Sequence, residues 1–257
     1  MFACDTYAKQ KNKIVLTGSS TVAPLILEIS KIFEKEQKNI RVDVQTGGSS
    51  RGIADARKGL ADIGMASRGL KPKEKDLFSH TIAVDGVAPL VHASNPIKNI
   101  SKEQFKNILL GKIKNWKEVG GKDAPVVVVN RAEGRSELEL VTGLLDIEVS
   151  GIKANMIVGE NAHGIKTVSK NANAITYMSI GHAIREMELG IPIRMPNFGG
   201  VEASIDSVKK GKFPLARPLN LITKTKPSGI AKEFIEFASS TKVKKIVEDQ
   251  SFISTAN

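Results

Sequence analysis

A single cysteine, Cys4, stands among 257 residues. That excludes an intrachain disulfide framework and a cysteine-built zinc site. Aromatic residues make up only 5%, with one Trp, two Tyr and nine Phe, so a surface of interleaved stacking rings for nucleic acid is lacking. No apolar run approaches the roughly 18 residues of a membrane span. The Gly-x-x-x-x-Gly-Lys loop and the dinucleotide glycine fingerprint are both absent. The four histidines, His80, His92, His163 and His182, show no metal-ligand spacing and read as surface or loop residues.

What is present is a 41% hydrophobic fraction, 25% charge and a net charge of +11. The length suffices for a sizeable core and one or two domains. The positive charge is spread over many Lys and Arg side chains. It reads as a solvated cationic surface, or as an attraction for an anionic ligand, a nucleic acid or an acidic lipid surface. Met1-Phe2-Ala3-Cys4 runs into the polar stretch Asp5 to Lys13. A small residue, a cysteine and a polar tether are how a processed bacterial lipoprotein begins. Residues 1–12 are therefore expected to be a tether, with Cys4 as lipid anchor and the signal segment missing upstream.

Ile14 to Thr17 reads as a strand ending at Gly18, and the apolar positions from Val22 to Phe33 fit one helix face. Ser20 or Thr21 suits the N-cap of that helix. Ile40, Val42 and Val44 alternate with polar residues as in a half-buried strand. A second helix follows Gly48-Ser49-Ser50, and Ala61 to Ala66 is a further strand ending at Ser67. Strand, serine-rich turn and helix thus occur twice, which implies a parallel α/β sheet. Beyond them the pattern predicts an extended stretch over Thr81 to His92, broken at Asp85-Gly86, and a lysine-rich helix over Lys98 to Lys122. It predicts strands at Val126 to Val129 and Ala174 to Met178, a helix over Ile180 to Leu189, an extended segment over Pro214 to Thr223, and a C-terminal helix.

Gly18-Ser19-Ser20-Thr21, Gly48-Ser49-Ser50 and Gly134-Arg135-Ser136 each join a strand to a helix. Helix N-termini leave backbone N–H groups free and carry partial positive charge. In parallel sheets such turns gather at the carboxyl ends of the strands, where ligands bind. One such turn is explained by capping alone. Three of them, with Ser67 at a further strand end and Arg131 beside the third, favour an oxyanion site. The site looks built to hold an anion and not to transform it.

Leu16 to Pro24, Gly47 to Gly52, Ala61 to Arg68, Ile82 to Val87, Gly111 to Gly121 and Ala174 to Met178 together resemble the substrate-binding proteins of the bacterial phosphate ABC importer. The likeness covers about residues 13 to 253, in order. It implies an α/β, two-lobed periplasmic-binding-protein fold of type II topology with two crossover segments and the ligand in the interlobe cleft. Lobe one would be 13–86 plus 213–257, and lobe two 87–212. By the same resemblance Ser20 and Thr21 supply the first turn's hydroxyl and N–H donors, and Ser49 supplies the second turn's. Arg131 pairs with the oxyanion, and Glu133 stands where an acid would orient it.

Two departures from the family pattern stand out. The arginine motif usually continues Gly-Ser-Gly-Thr; here it reads Gly134-Arg135-Ser136-Glu137. Arg135 then either adds a second positive charge or points to solvent, and Ser136 occupies a glycine position. Ser67 stands where some members carry an aspartate that accepts the proton of hydrogen phosphate and repels sulfate. A serine can accept that proton but cannot repel by charge. Glu137 is placed to take over as proton acceptor, or simply favours the helix dipole. Arg68 is a further cation, or a brace for the cleft. Trp116 reads as packing, and the lysines of 98–122 as a solvated face or a permease-docking surface.

The expected function is high-affinity binding of inorganic phosphate outside the cytoplasmic membrane, periplasmic or at the cell surface, and its delivery to the permease subunits of an ABC importer. The protein is expected to be a monomer without enzymatic activity, cofactor, metal or nucleic-acid partner. The alternatives are a receptor for sulfate, molybdate or tungstate, or a phosphoester hydrolase using the same pocket.

Overall fold

The computed structural model describes residues 12–256; Cys4 and residues 1–11 of the expected tether lie outside them. Among the described residues no helix is long and apolar enough to cross a membrane.

The chain opens with β1 (Asn12–Gly18), α1 (Ala23–Glu36), β2 (Ile40–Thr46), α2 (Ser49–Lys58) and β3 (Ile63–Ala66). β1 lies parallel to both β2 and β3, one on each side of it, because each return to the sheet is made through a helix. β4 (Phe78–His92) follows, and then β5 (Asn99–Ile100), α3 (Lys102–Leu109), β6 (Val127–Arg131), α4 (Ser136–Leu145), β7 (Met156–Val158), α5 (Asn161–Ser169), β8 (Ala174–Ser179), α6 (Ile180–Glu188), β9 (Ile193–Arg194), β10 (Asn197–Phe198) and α7 (Ile205–Lys209). The chain returns through β11 (Ala216–Thr223) to α8 (Gly229–Ala238), α9 (Lys244–Asp249) and β12 (Ile253–Ser254).

The strands follow the order β2-β1-β3-β11-β4-β8-β6-β7. β4 is common to both halves of this path. Its first half pairs antiparallel with β11, with Arg217 opposite Asp85. Its second half pairs antiparallel with β8, from Val87 opposite Ser179 onward. Two of the four apolar clusters among the described residues dominate. One packs Leu16, Leu25, Ile29 and Phe33 against Ile63, Leu219, Leu221 and Phe234. The other packs Val91, Phe105, Trp116 and Val141 against Ile175, Tyr177 and Phe198. Each core belongs to one lobe, and β4 and β11 are the strands that pass between them.

Three expectations are corrected. β4 is unbroken at Asp85-Gly86. Asp85 is fully buried and paired with Arg217, and a Cβ on Gly86 would lie 2.6 Å from the Ile180 Cδ1 atom and 2.8 Å from a Val208 methyl. That glycine serves packing and not a turn. The lysine-rich helix ends at Leu109, because Gly111 takes φ +68°. A short 3-10 turn at Trp116–Val119 follows, with Trp116 buried in the second core and its indole N–H on the Asn173 carbonyl. Phe213 and Leu215, expected with lobe one, pack into the second core, so the chain rejoins the first sheet only at Ala216.

Candidate functional site

Turns from both lobes meet beside the crossing strands. From the first lobe, Ser19 follows β1, Ser49 opens α2 and Ser67 follows β3; from the second, Ser136 opens α4. Their hydroxyls touch. Ser19 Oγ donates to Ser67 Oγ at 2.9 Å, Ser49 Oγ lies 3.3 Å from it and Ser136 Oγ 2.7 Å from it. All four serines are buried. Gly48, at φ +95°, turns the chain so that Ser49 starts the helix with its hydroxyl inward, where it accepts the Ser67 N–H at 3.1 Å.

Arg217 of β11 is the charge at the centre of this cluster. Its Nη1 donates to Ser67 Oγ at 3.3 Å, Ser136 Oγ at 3.0 Å and Glu137 Oε1 at 2.9 Å. Its Nη2 donates to Thr21 Oγ1 at 3.1 Å, and Nη2 and Nε both donate to Asp85 Oδ2. Thr21 Oγ1 in turn donates across the cleft to Glu137 Oε1 at 3.0 Å. A buried guanidinium is tolerable only when its donors are met, and here carboxylates and hydroxyls meet them. Burial works against the charged form of Arg217, but Glu137 and Asp85 outweigh it and hold the guanidinium protonated. Burial likewise would raise the Glu137 carboxyl, yet Arg217 and Arg131 prevail and hold it at about 2. Glu137 is therefore ionised at any physiological pH.

Arg131 ends β6 and is 1% exposed. Its Nη1 donates to the Glu160 carbonyl, and its Nη2 to the Gly159 carbonyl and, at 2.6 Å, to Asn161 Oδ1. Its Nε has no protein partner among the described residues. Burial pulls its pKa down, with Glu137 opposing. Arg131 and Arg217 face Glu137 and Asp85, so the buried charges cancel. Binding of an anion here must rest on directed donors, not on excess positive charge.

The PBP superfamily domain matches residues 5–242. The phosphate-binding protein PstS of Bacillus subtilis (strain 168) is 31% identical over 252 residues, spanning 95% of this chain and 81% of that protein. A Clostridium perfringens protein solved with bound phosphate superposes with a TM-score of 0.88 at 31% identity, covering 95% of this chain and all of that one. An ABC-type phosphate transport receptor from Vibrio cholerae gives a TM-score of 0.76 at 30% identity, with the same coverage. The chain belongs to the phosphate-binding protein family of the PBP superfamily.

Several expected site residues of this family member stand elsewhere than the sequence suggested. Thr21, Ser49, Ser67, Ser136 and Glu137 do come together. Ser20 does not join them. The residue before α1 is Val22, whose N–H and that of Thr21 are taken by Ser19 Oγ, and Ser20 faces Asn161 Oδ1 at 3.5 Å. Glu133 is exposed and does not orient Arg131; Gly134, at φ +79°, turns the chain inward only after it. The orienting groups of Arg131 are the two carbonyls and Asn161. Arg135 neither joins the cluster nor points to solvent, but pairs with Glu160 at 3.0 Å. Arg68 braces the cleft, bound to Glu74 and beside Glu139.

Sequence reasoning missed Ser19, Arg217, Asp85, Asn161 and His182. Two of them carry a signal in hindsight: Arg217 and Asp85 are charges inside extended apolar runs, which is costly unless they are paired. His182 is no loop residue; it lies on α6 with Nδ1 against Asn161.

Proposed function

We propose that the protein is a high-affinity extracytoplasmic receptor that binds inorganic phosphate between its lobes and delivers it to a phosphate ABC importer. The observation that carries this reading is the meeting of four buried serine hydroxyls from both lobes around the Arg217 guanidinium. A tetrahedral oxyanion would take over these donors, replacing hydroxyl–hydroxyl bonds by charge-assisted ones. Its ligands would be Thr21, Ser49, Ser67, Ser136 and Arg217, with the free Nε of Arg131 a further donor. Ser20 and Arg135 would serve the cleft wall. The phosphate-binding names of its relatives support the same cargo.

The lobes are taken as 13–86 with 216–257, and 87–215. Closure brings Thr21 and Glu137 together, excludes water and strengthens each bond to the ligand. The receptor is read as a monomer tethered through Cys4, with the closed face recognised by permease subunits, and as binding its ligand without converting it.

Titration calorimetry with phosphate, sulfate, molybdate and tungstate tests the reading. Phosphate is expected to bind far more tightly than the other three, and a preference for any of them would replace phosphate as the cargo. Arg131→Ala is expected to weaken phosphate binding by about 2–5 kcal/mol, as for removal of one partner from a buried, hydrogen-bonded charge pair. Unchanged affinity would remove Arg131 from the site.

A further inference from the structure

Asn161, the first residue of α5, is buried and makes three close polar contacts besides the Ser20 hydroxyl at 3.5 Å. Its Oδ1 accepts from Arg131 Nη2 at 2.6 Å. Its Nδ2 donates across the cleft to Thr21 Oγ1 at 3.2 Å and lies 2.9 Å from His182 Nδ1. A guanidinium only donates, so the amide oxygen must face Arg131 and the amide NH2 must face Thr21 and His182. It follows that His182 Nδ1 carries the lone pair and Nε2 the proton. The His182 backbone N–H donates to Ser179 Oγ at 3.2 Å, which fixes the main chain there, and the ring packs 5.9 Å from that of Phe252.

We propose that Asn161 and His182 are positioning residues of the anion site: Asn161 aims Arg131 and ties it to Thr21 of the opposite lobe, and a neutral His182 dictates which way the Asn161 amide faces. The proposal rests on the reading of Arg131 and Thr21 as anion ligands. A proton on Nδ1 would set N–H against NH2. The amide cannot turn to relieve this, because its NH2 would then meet the donors of Arg131. Protonation of His182 therefore opposes the closed, ligand-ready arrangement.

The groups facing the ring are mixed. Asp85 of β4 and Glu137 of α4 favour its charged form; Arg217 of β11 and Arg185 of α6 oppose it. Glu186 of α6 lines the same groove, whose other wall is Ser20 and Pro24 of the first lobe. Burial outweighs them all and pushes the ring down from 6.5 to about 4. In the open form that the proposal implies, the groove's walls part and the ring regains water. Closure then requires release of a proton at any pH between these values. Phosphate binding is at full strength above 6.5 and weakens as pH falls toward about 4. Inorganic phosphate is mainly a monoanion across that window and Glu137 stays ionised, so neither supplies the change.

The test is calorimetry with inorganic phosphate on the wild type and His182→Gln from neutral pH down to 4.5. The wild type is expected to lose up to about tenfold in affinity per pH unit in the acid range. His182→Gln is expected to bind about tenfold more weakly at neutral pH, the cost of one misplaced hydrogen bond, and to show a flat profile. A variant profile as steep as the wild type's overturns the proposal. Imidazole nitrogen NMR gives an independent arm, with His182 identified as the signal lost in the variant. A proton on Nε2 is expected, and a proton on Nδ1 overturns the relay whatever the ligand. Should the wild type bind no phosphate, the functional reading fails, and the tautomer still decides this proposal by itself.

Discussion

In the proposed receptor, selectivity would be set at single side chains. Glu137 Oε1 is used by Arg217 and Thr21, whereas among the described side chains Oε2 is met by the Ser136 hydroxyl alone, at 3.5 Å. An ionised carboxylate only accepts. An oxyanion bearing a proton can donate to Oε2; sulfate, which has none, brings its own lone pairs against it. In Glu137→Gln the Arg217 and Thr21 donors hold the amide oxygen at the Oε1 position, which leaves NH2 at the Oε2 position. The acceptor becomes a donor. The phosphate-over-sulfate ratio is expected to fall by about tenfold or more, a difference of roughly 1.4 kcal/mol. Competition titration checks it, and an unchanged ratio would show that Glu137 does not discriminate. Thr21, Ser49 and Ser136 on strand-to-helix turns, and Ser67 at a strand end, were legible because local pattern places them. Arg217 and Asp85 were not, because the pairing that joins them depends on the β4–β11 register across 132 positions of sequence. Asn161 was missed with its helix, whose apolar face is small.

At the scale of elements, α2 carries Ser49 to the site by lying unusually close to the sheet. A Cβ on Gly52 would stand 2.5 Å from the Thr17 carbonyl oxygen and 2.8 Å from that of Met65. Both contacts are backbone and cannot yield as a side-chain tip would. Gly52→Ala must lift α2 off β1 and β3, costing about 1–3 kcal/mol as overpacking does. Gly59, at the other end of α2, is at φ +72° with open space around it, so Gly59→Ala costs about 1 kcal/mol through conformation alone. Urea unfolding should show both losses, while calorimetry should show weaker phosphate binding only in Gly52→Ala. Equal affinities would mean that the seating of α2 does not govern Ser49. The β1–α1–β2–α2–β3 unit was readable from alternation of pattern. The continuity of β4 was not, since Gly86 resembles a turn residue until the Ile180 and Val208 side chains above it are known.

A receptor of the proposed kind must balance open and closed forms, and one ion cluster outside the hydroxyl site joins the lobes. Glu139 of α4 lies 2.9 Å from Arg68 Nε and 2.8 Å from Lys71 Nζ, and accepts from the Ser50 hydroxyl at 3.0 Å. All three partners belong to the first lobe. Arg68 is itself fixed by two bonds to Glu74, at 2.7 and 3.0 Å, so it is held ready to receive Glu139. Lys71 is 43% exposed and Glu139 23%, so salt screens part of the attraction, and the cluster is worth about 1 kcal/mol and not several. It touches none of the groups that would sort one anion from another. Glu139→Gln is therefore expected to weaken phosphate and sulfate alike, by about fivefold, because it raises the free energy of the closed form without altering the site. Small-angle scattering of the phosphate-free variant should show a larger radius of gyration than the wild type. A changed phosphate-to-sulfate ratio would place Glu139 in recognition, and unchanged affinity for both would show that the cluster contributes nothing to closure.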